Sequence, residues 1–448
     1  MSGGPSLFVC VGDFNRRTPG WLSMHGRDDA DVPFQPGDDF PFEDRGVDVM
    51  ACGDFVAALS RETRIRFLLE CRRVLKPGGL LSLRVASPVG NADATSSRMT
   101  DILQAAALTG LETADVTPVA DVCRLALAEQ RAPDERTITV EYTKRDRRVG
   151  GDPLVSIVIP AYTPRFFAAC LDSALAQTYA NIEIIVCDDS DGTEIEATVR
   201  ARANRRDVRY MRNAVHLGPR GNFIKCFESA RGAFVKFLCD DDLLAPTCAA
   251  SLLDAFHRAP DITLATSHRR RIDENGNLLD DQPATRPIVA VNTTIAGYTL
   301  ANVMLMAGLN MVGEPTTVLF RKADLLDQAP DYFRFNGAYG HGIIDMVMWS
   351  ALLLKGDAVY LTESLSAFRI HAAQRQHDPA SAQRNIASIR GLQGAWLELK
   401  LFEKVPPHLM LAKPFPPHAD SDWRLQPVLS PHAVSRIEPA GKPERPAD

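Results

Sequence analysis

The sequence predicts an α/β protein with doubly wound, mainly parallel sheets, and two observations carry this prediction. Apolar runs typical of strands alternate with segments whose apolar positions have helical spacing, most clearly between Val155 and Leu238. The runs from Val155 to Ile159 and from Ile182 to Cys187 are continuously apolar, as expected of strands that helices cover on both faces. Ligands of such sheets bind beyond the carboxyl ends of the strands, so polar residues that follow a strand are candidate site residues.

The composition is that of a globular protein with more than one domain. The chain has 448 residues, 45% of them hydrophobic and 24% charged, with a formal net charge of -6. A single core seldom grows beyond about 250–300 residues, so at least two domains are expected. The lack of a basic excess argues against nucleic acid as a partner. Nine scattered cysteines without a CxxC pair favour reduced thiols in the cytoplasm over a disulfide framework or a zinc site.

Neither secretion nor a membrane anchor is predicted. The start, MSGGPSLFVCVG, lacks the basic residues and the long apolar stretch of a signal peptide. The most apolar segment, Tyr298 to Val312, contains two asparagines and a glycine, and it is shorter than the roughly 18 residues that a spanning helix needs. We expect a buried helix there, and membrane contact only at the periphery, through a substrate or a partner.

Four segments are predicted along the chain. Residues 1–148 form a first α/β domain, and the polar link KRDRRVGGDP leads to a second α/β domain at 153–375. A helical segment follows at 376–405. The proline-rich residues 406–448 have little to bury, so they are expected to be disordered.

Acidic residues follow two predicted strands of the second domain. Asp240, Asp241 and Asp242 come directly after the strand FVKFL. Adjacent carboxylates repel one another, and a hard cation such as Mg²⁺ or Mn²⁺ relieves that repulsion; a solvated helix cap is the equally weighted alternative. Asp188 and Asp189 follow the second strand, where a carboxylate can accept hydrogen bonds from a nucleobase or ribose, although a simple turn is favoured for that segment alone.

A third polar group comes later in the chain. Asp345 begins a predicted helix and shares a face with Trp349, one turn on. Arg369 and His371 alternate along the strand-like segment AFRIH and therefore lie on one side of it. Asp345 could act as a general base and the other two could meet a diphosphate, although a helix-start carboxylate and a polar edge strand are the favoured alternatives for each segment alone.

Taken in order, these segments resemble glycosyltransferase family 2, inverting enzymes of the GT-A fold. The resemblance covers about half of the chain. Its motifs are VSIVIPAY, Gln177-Thr178-Tyr179, IEIIVCDDSDG, the polar positions Asn213, Gly218 and Asn222, RGAFVKFLCDDDLL, and a lone Asp ahead of W-x(2)-L-L-x(2)-G and FRIH. It implies transfer of a sugar from a nucleotide-diphosphate sugar to an acceptor hydroxyl in glycan or glycoconjugate synthesis, with Mn²⁺ or Mg²⁺ as the cofactor.

The resemblance also implies roles for individual residues. Asp345 is expected to be the catalytic base, and Asp241 and Asp242 the metal ligands. The residues expected to bind the donor are Pro160, Ala161, Tyr162, Asp189, Arg220, Asp240, Arg369 and His371. Cys239 stands where many members of the family have an acid, which leaves open which two of Asp240, Asp241 and Asp242 bind the metal. Ile344 replaces the glutamate that often precedes the base. The segment Gly313-Glu314-Pro315 is expected to border the acceptor pocket.

Substrate identity is only partly implied. UDP is favoured as the nucleotide, with dTDP and GDP as alternatives. The acceptor could be a glycan, a lipid-linked molecule or a protein.

The first domain resembles the later half of class I S-adenosylmethionine-dependent methyltransferases. The matching stretches are FPFEDRGVDVMACGDFVAAL and ECRRVLKPGGLLSLRV. However, Cys10 stands where a cofactor-binding glycine is expected and His25 where a ribose-binding acid is expected. We therefore expect a degenerate domain that does not bind S-adenosylmethionine. The alternatives are a bifunctional transferase that also methylates its glycan and a non-catalytic scaffold that binds nucleotide sugars.

Overall fold

A computed structural model describes residues 7–11, 22–25, 30, 32–34, 39–53, 55–87, 102, 105–106, 109, 111–113, 136–144, 149–202, 208–326, 332–340, 342–372, 374, 379–398, 408–417, 421 and 423–428. The chain divides into two compact units. One consists of Met1–Arg147 with Glu398–Lys400, and the other of Arg148–Leu397 with Leu401–Asp448. The division falls within the polar link recognised in the sequence.

The first unit is built on one seven-stranded sheet. Its strands are β1 (Phe8–Val11), β2 (Leu22–His25), β3 (Val32–Pro33), β4 (Val47–Cys52), β5 (Leu75–Ser87), β6 (Leu111–Thr113) and β7 (Arg136–Lys144). Their order is β3-β2-β1-β4-β5-β7-β6, with β1 to β5 parallel and β7 antiparallel to its neighbours. This topology agrees with the expected Rossmann-like domain.

One helix of the first unit shows how its sequence sets its limits. After α1 (Phe55–Ala58), helix α2 (Arg61–Val74) begins where the Ser60 hydroxyl accepts a hydrogen bond from the Thr63 amide, at 3.2 Å. Its apolar stripe is buried on the sheet. Pro77, Gly78 and Gly79 lie inside β5, where a register shift opposite β4 absorbs the extra residues.

The second unit contains a twelve-stranded mixed sheet. Its strands are β8 (Val155–Ala161), β9 (Ile182–Asp188), β10 (Val208–Arg212), β11 (Phe234–Phe237), β12 (Leu243–Leu244), β13 (Ile262–Ile272), β14 (Leu278–Leu279), β15 (Thr293–Ile295), β16 (Leu319–Arg321), β19 (Asp357–Arg369), β20 (Leu409–Pro414) and β21 (Arg424–Pro427). A separate hairpin pairs β17 (Arg334–Phe335) with β18 (Ala338–Tyr339).

The helices of this unit follow the strands in an α/β arrangement. They are α3 (Pro164–Leu175), α4 (Glu194–Arg202), α5 (Gly218–Ser229), α6 (Cys248–Arg258), α7 (Gly297–Ala307), α8 (Ile344–Lys355) and α9 (Pro379–Leu397). Short 3₁₀ turns occur at Pro315–Thr317 and Lys322–Asp324. None of the helices in the described ranges is long and apolar enough to cross a membrane.

Four neighbouring strands at one end of the sheet are parallel, and β13 and β19 form a second parallel pair. Strands β10-β9-β8-β11 are parallel neighbours, and β16, which is antiparallel to β11, joins them to β13 and β19. Helices α3 and α6 pack their apolar faces on the sheet, where Phe167, Leu171, Leu252 and Phe256 belong to one buried cluster. The predicted α/β fold class is confirmed, with antiparallel pairing added beyond β11.

The C-terminal residues add two strands that the sequence did not suggest. β20 pairs antiparallel with β15, and β21 pairs with β20. The expectation of disorder from residue 406 is therefore wrong for these strands. Strand β20 satisfies the backbone groups of β15 and buries Met410 completely, which compensates for the polar, proline-rich composition around it.

Candidate active site

The carboxyl ends of the parallel strands position the candidate site. The Asp189 amide donates to the Ala161 carbonyl at 2.9 Å, and the Leu238 amide donates to the Val158 carbonyl at 3.0 Å. The segments that follow β8, β9 and β11 therefore leave the sheet at one edge, as the predicted βαβ order requires.

Asp240 joins two of these segments. Its Oδ2 accepts hydrogen bonds from the backbone amides of Tyr162 and Thr163, at 2.7 and 2.6 Å. Burial, and then the charge of Asp241, raise the pKa of Asp240 to about 6. The carboxylate thus holds the turn after β11 against the end of β8.

Asp241 faces the imidazole of His371. Its Oδ2 lies 3.0 Å from His371 Nε2, and its side chain keeps 17% of its surface exposed. The His371 ring packs 5.0 Å from the Phe166 ring, and its Nδ1 is buried without a hydrogen-bond partner in the part of the chain that is described. A buried ring nitrogen of this kind is expected where a bound ion or water completes the pairing.

Asp242 points into the interior of the unit. It is completely buried; its Oδ2 accepts from the Thr316 hydroxyl at 2.6 Å and its Oδ1 from the Arg369 amide at 3.0 Å. Burial, and then the charge of Asp241, raise its pKa well above the ordinary value. Each oxygen thus has a partner within the unit, and the metal role of Asp242 stays a prediction.

Arg369 is also turned away from the cleft. Its Nε donates to the Asp241 carbonyl at 2.8 Å, and its Nη1 donates to the carbonyls of Asp273 and Glu274 at 3.0 and 3.3 Å. The guanidinium lies 4.7 Å from the Phe166 ring centroid, and the residue is 4% exposed. It therefore anchors the acidic turn to the β13–β14 connection, and its contact with the diphosphate stays a prediction.

Of the three consecutive residues predicted to contact the nucleobase at the end of β8, two are buried and one presents an exposed ring. Pro160 and Ala161 are buried at the end of β8, opposite Cys187 and Asp188. Tyr162, the next residue, is 47% exposed, and its ring lies 5.5 Å from that of His216.

Asp189 lies beneath this ring pair, where its carboxylate is already bonded. Oδ1 accepts from the Leu217 amide at 2.9 Å and from the Asn213 side chain at 2.7 Å, and Oδ2 accepts from the Gly218 amide at 2.9 Å. Asp189 therefore caps the start of α5. Arg220, also predicted to bind the donor, lies half-buried in the first turn of that helix.

Asp345 begins α8 and is partly exposed. Its Oδ1 accepts from the Met346 amide at 2.8 Å, and its Oδ2 accepts from the Asn310 side-chain nitrogen at 2.7 Å. Burial raises the pKa of Asp345 to about 6; the bond from Met346 opposes the rise and the charge of Glu314 adds to it. A carboxyl group with this pKa is ionised near neutral pH and basic enough to take a proton.

One short turn connects the Asp345 side of the cleft with the acidic turn. The Thr316 hydroxyl donates to Asp242 and accepts from the Cys239 amide at 3.0 Å, while Asn310 holds Asp345 and bonds twice to Gly313. Residues 310–317 therefore contact both acidic groups.

Buried Arg269 supports that turn. It forms an ion pair with Glu314, and its Nη2 donates to the carbonyls of Asn310 and Ala284, each at 2.8 Å. No sequence motif had marked Asn310, Thr316 or Arg269. The Asn310–Gly313 spacing is a local signal for the first, but its partner Asp345 lies 35 residues away along the chain.

Sequence comparison identifies the family. The pattern of glycosyl transferase family 2 matches residues 156–325. An uncharacterized protein of Mycobacterium tuberculosis is 31% identical over 244 residues, which is 52% of this chain and 72% of that protein. The chain belongs to glycosyltransferase family 2.

Two further proteins are similar to parts of this family-2 glycosyltransferase. A chondroitin synthase of Escherichia coli is 31% identical over 132 residues, which is 29% of this chain and 19% of that protein. A solved structure of S. aureus TarS in complex with UDP is 16% identical, covers 52% of this chain and 64% of its own, and has a TM-score of 0.39. The chain therefore spans less than a fifth of the chondroitin synthase.

The N-terminal unit of the glycosyltransferase matches a methyltransferase domain over residues 22–83. That match includes β2, β4 and α2 and agrees with the resemblance noted in the sequence. Cys10, which stands at the expected glycine position, lies in β1, and His25 ends β2.

Proposed function

We propose that this family-2 glycosyltransferase moves a sugar from a nucleotide-diphosphate sugar to an acceptor hydroxyl, with inversion at the anomeric carbon. The observation that carries the proposal is that residues 310–317 contact both the acidic turn, where Asp241 pairs with His371, and the carboxyl group of Asp345. The pair suits the leaving diphosphate with its cation, and Asp345 suits the proton of the nucleophile.

Asp345 would supply the proton transfer. Its carboxylate takes the proton of the acceptor hydroxyl as the acceptor oxygen bonds to the anomeric carbon, and the bond from that carbon to the diphosphate oxygen breaks on the opposite face. The two bonds on Asp345, from Asn310 and the Met346 amide, leave lone pairs for this task. General base catalysis typically contributes about 10²–10⁴-fold in rate.

The residues around Asp241 fit a divalent metal ion. Carboxylate oxygens suit Mg²⁺ and Mn²⁺, and such ions commonly take one or two protein ligands with the remaining positions given to phosphate oxygens and water. Asp241 and His371 could provide those ligands, in place of the predicted pair Asp241 and Asp242. Among the described residues no group of three His, Cys, Asp or Glu side chains is arranged as a complete metal site. When bound, the ion would neutralise charge on the departing diphosphate.

The exposed ring of Tyr162, with His216 beside it, suits the nucleobase of the donor. An aromatic face supports stacking of a planar base, and Asp240 fixes the backbone of Tyr162 through its amide. UDP stays the favoured nucleotide because of the family resemblance, and dTDP and GDP belong in the same test.

The setting that we propose is glycan or glycoconjugate synthesis in the cytoplasm, with any membrane contact through the acceptor. The named chondroitin synthase relative supports a glycan acceptor. The eight cysteines in the described ranges are free thiols, which suits a reducing compartment.

Nucleotide release from a panel of UDP-, dTDP- and GDP-sugars tests the proposal, with Mn²⁺, Mg²⁺ or EDTA present. We expect release from one donor class that EDTA abolishes and that Asp241→Ala lowers at least tenfold. Asp254→Ala, which removes an exposed partner of Arg258, serves as the matched surface control. Release that persists in EDTA would contradict the metal assignment, and no binding or release of any donor would contradict the transferase assignment.

A further inference from the structure

We propose that Asn310 is a positioning residue that orients Asp345 and sets the pH at which it works as the base. This inference rests on the proposed function of Asp345. It assigns a role to a residue that lies outside every family motif named above and that acts on the acceptor side of the cleft.

The hydrogen bonds around Asn310 fix the orientation of its amide. Oδ1 lies 3.0 Å from the Gly313 amide nitrogen, which can only donate, so this atom must be the carbonyl oxygen. The other atom is then the NH₂ group, which donates to the Gly313 carbonyl at 2.8 Å and to Asp345 Oδ2 at 2.7 Å. Asn310 therefore presents a donor to the base, and the flipped amide would lose all three bonds.

The surroundings hold Asn310 in place. Gly313 has φ of 123°, and a Cβ there would lie 2.6 Å from Thr317 Cβ, so only glycine turns its amide and carbonyl toward Asn310 without strain. The Trp349 indole donates to the same Gly313 carbonyl at 2.8 Å, and buried Arg269 donates to the Asn310 carbonyl at 2.8 Å. Gly313 thus holds the side chain of Asn310, and Arg269 holds its backbone carbonyl.

The charged groups near Asp345 explain why the hydrogen bond from Asn310 should affect the pKa of this carboxyl group. Glu314 is the nearby carboxylate whose charge raises the pKa of Asp345, and Arg269 pairs with Glu314 from beneath. The amide of Met346 and the side chain of Asn310 oppose that rise, because each donates to the ionised form. Loss of the Asn310 donor should therefore leave Asp345 protonated to a higher pH.

Two substitutions separate this role from a purely structural one. Asn310→Ala removes the donor and the bonds to Gly313. Asn310→Asp keeps the shape and the acceptor for the Gly313 amide, but it places an oxygen against Asp345. A structural role would make the isosteric Asp variant the milder of the two, whereas a role in stabilising the ionised base makes it the more severe.

The experiment records two quantities as a function of pH in the full chain. One is metal-dependent nucleotide release from the donor that the UDP-, dTDP- and GDP-sugar panel selects. The other is the ¹³C carboxyl signal of Asp345, assigned by its loss in Asp345→Asn. We expect both midpoints to rise by about one pH unit in Asn310→Ala and by more in Asn310→Asp. Asn302→Ala removes a buried asparagine of α7 that is bonded to Trp396 of α9. This variant should be less stable and leave both midpoints unchanged.

The outcomes distinguish this inference from the proposed function. An Asp345 signal whose midpoint is the same in wild type and both Asn310 variants would overturn the inference, whatever the activity. A signal that shifts as expected, in a protein that turns over no donor, would uphold the contact and contradict the transferase assignment instead.

Discussion

Three adjacent carboxylates after β11 occupy three different environments. Asp240 accepts two backbone amides from the segment after β8, Asp241 faces His371 at the cleft, and Asp242 is buried against Thr316 and the Arg369 amide. Their substitution should therefore change different properties of the protein, although the three residues are chemically identical and consecutive.

Asp242→Ala should destabilise the second unit. The change leaves the Thr316 hydroxyl and the Arg369 amide buried without an acceptor, which should lower the free energy of unfolding by about 2–4 kcal/mol. Denaturant unfolding measures this loss. Asp241→Ala is the comparison, because a partly exposed side chain should change stability by less than about 0.5 kcal/mol. Equal stability of the two variants would show that Asp242 has no core role.

The carboxyl group of Asp345 should give turnover an acid limb. Since the base works only when ionised and its pKa is about 6, kcat should rise with pH through about 6 and level off above it. Asp345→Asn should lower kcat by about 10²–10⁴-fold and keep donor affinity. A pH series of initial rates with calorimetric donor titration tests both points, and loss of donor binding in this variant would contradict the base assignment.

The position of the candidate site could be predicted from the sequence, whereas the direction of each side chain could not. The order of strands placed Asp189 and Asp240 at the carboxyl ends of strands in one sheet, and the family resemblance added Asp345 and His371. Whether an aspartate after β11 faces the cleft or the core depends on partners such as Thr316 and Arg369, which lie 74 and 127 residues from Asp242 along the chain. No local pattern contains that information.

At the level of single elements, continuous apolar runs and helical spacing were sufficient to predict β8, β9, β11 and helix α3. The C-terminal hairpin of β20 and β21 was missed because its strands are short and lie among prolines and polar residues. Its stability comes from pairing with β15, more than 110 residues earlier, and not from its own composition. Long-range pairing of this kind has no signature in a composition window.

The hairpin should contribute measurably to the stability of the second unit. Met410→Ala removes a side chain that is completely buried, so we expect a loss of about 2–5 kcal/mol in the free energy of unfolding. Leu425→Ala, on the neighbouring strand and 54% exposed, should change it by less than about 0.5 kcal/mol. Thermal and denaturant unfolding compare the pair, and equal effects would argue against a packed hairpin.

At the scale of the whole molecule, two α/β units with separate sheets share one chain. All the residues assigned to the proposed transferase site belong to the second unit. The first unit matches a methyltransferase domain, but Cys10 and His25 stand at the positions where a cofactor-binding glycine and acid were expected. The proposed chemistry therefore requires only the second unit.

A fragment of residues 148–448 should fold and keep metal-dependent nucleotide release within about threefold of the full chain, because it contains its own sheet and core. Release assays and circular dichroism compare the two proteins. Calorimetry of the full chain should show no S-adenosylmethionine binding. A fragment that folds but is inactive would assign the first unit a part in catalysis, and tight binding of the cofactor would favour a bifunctional enzyme.

The anchoring of Arg369 has a consequence for how ligands influence one another. Because Nε and Nη1 of that guanidinium donate to three backbone carbonyls, we expect a divalent ion to supply most of the positive charge that a doubly charged diphosphate needs beside the acidic turn. The nucleotide and the divalent ion should then bind as thermodynamically linked ligands, each strengthening the other by the same factor. Donor affinity measured across a metal titration and metal affinity measured across a nucleotide titration should give the same coupling factor. In Asp241→Ala this factor should fall to unity, so that neither ligand changes the affinity of the other.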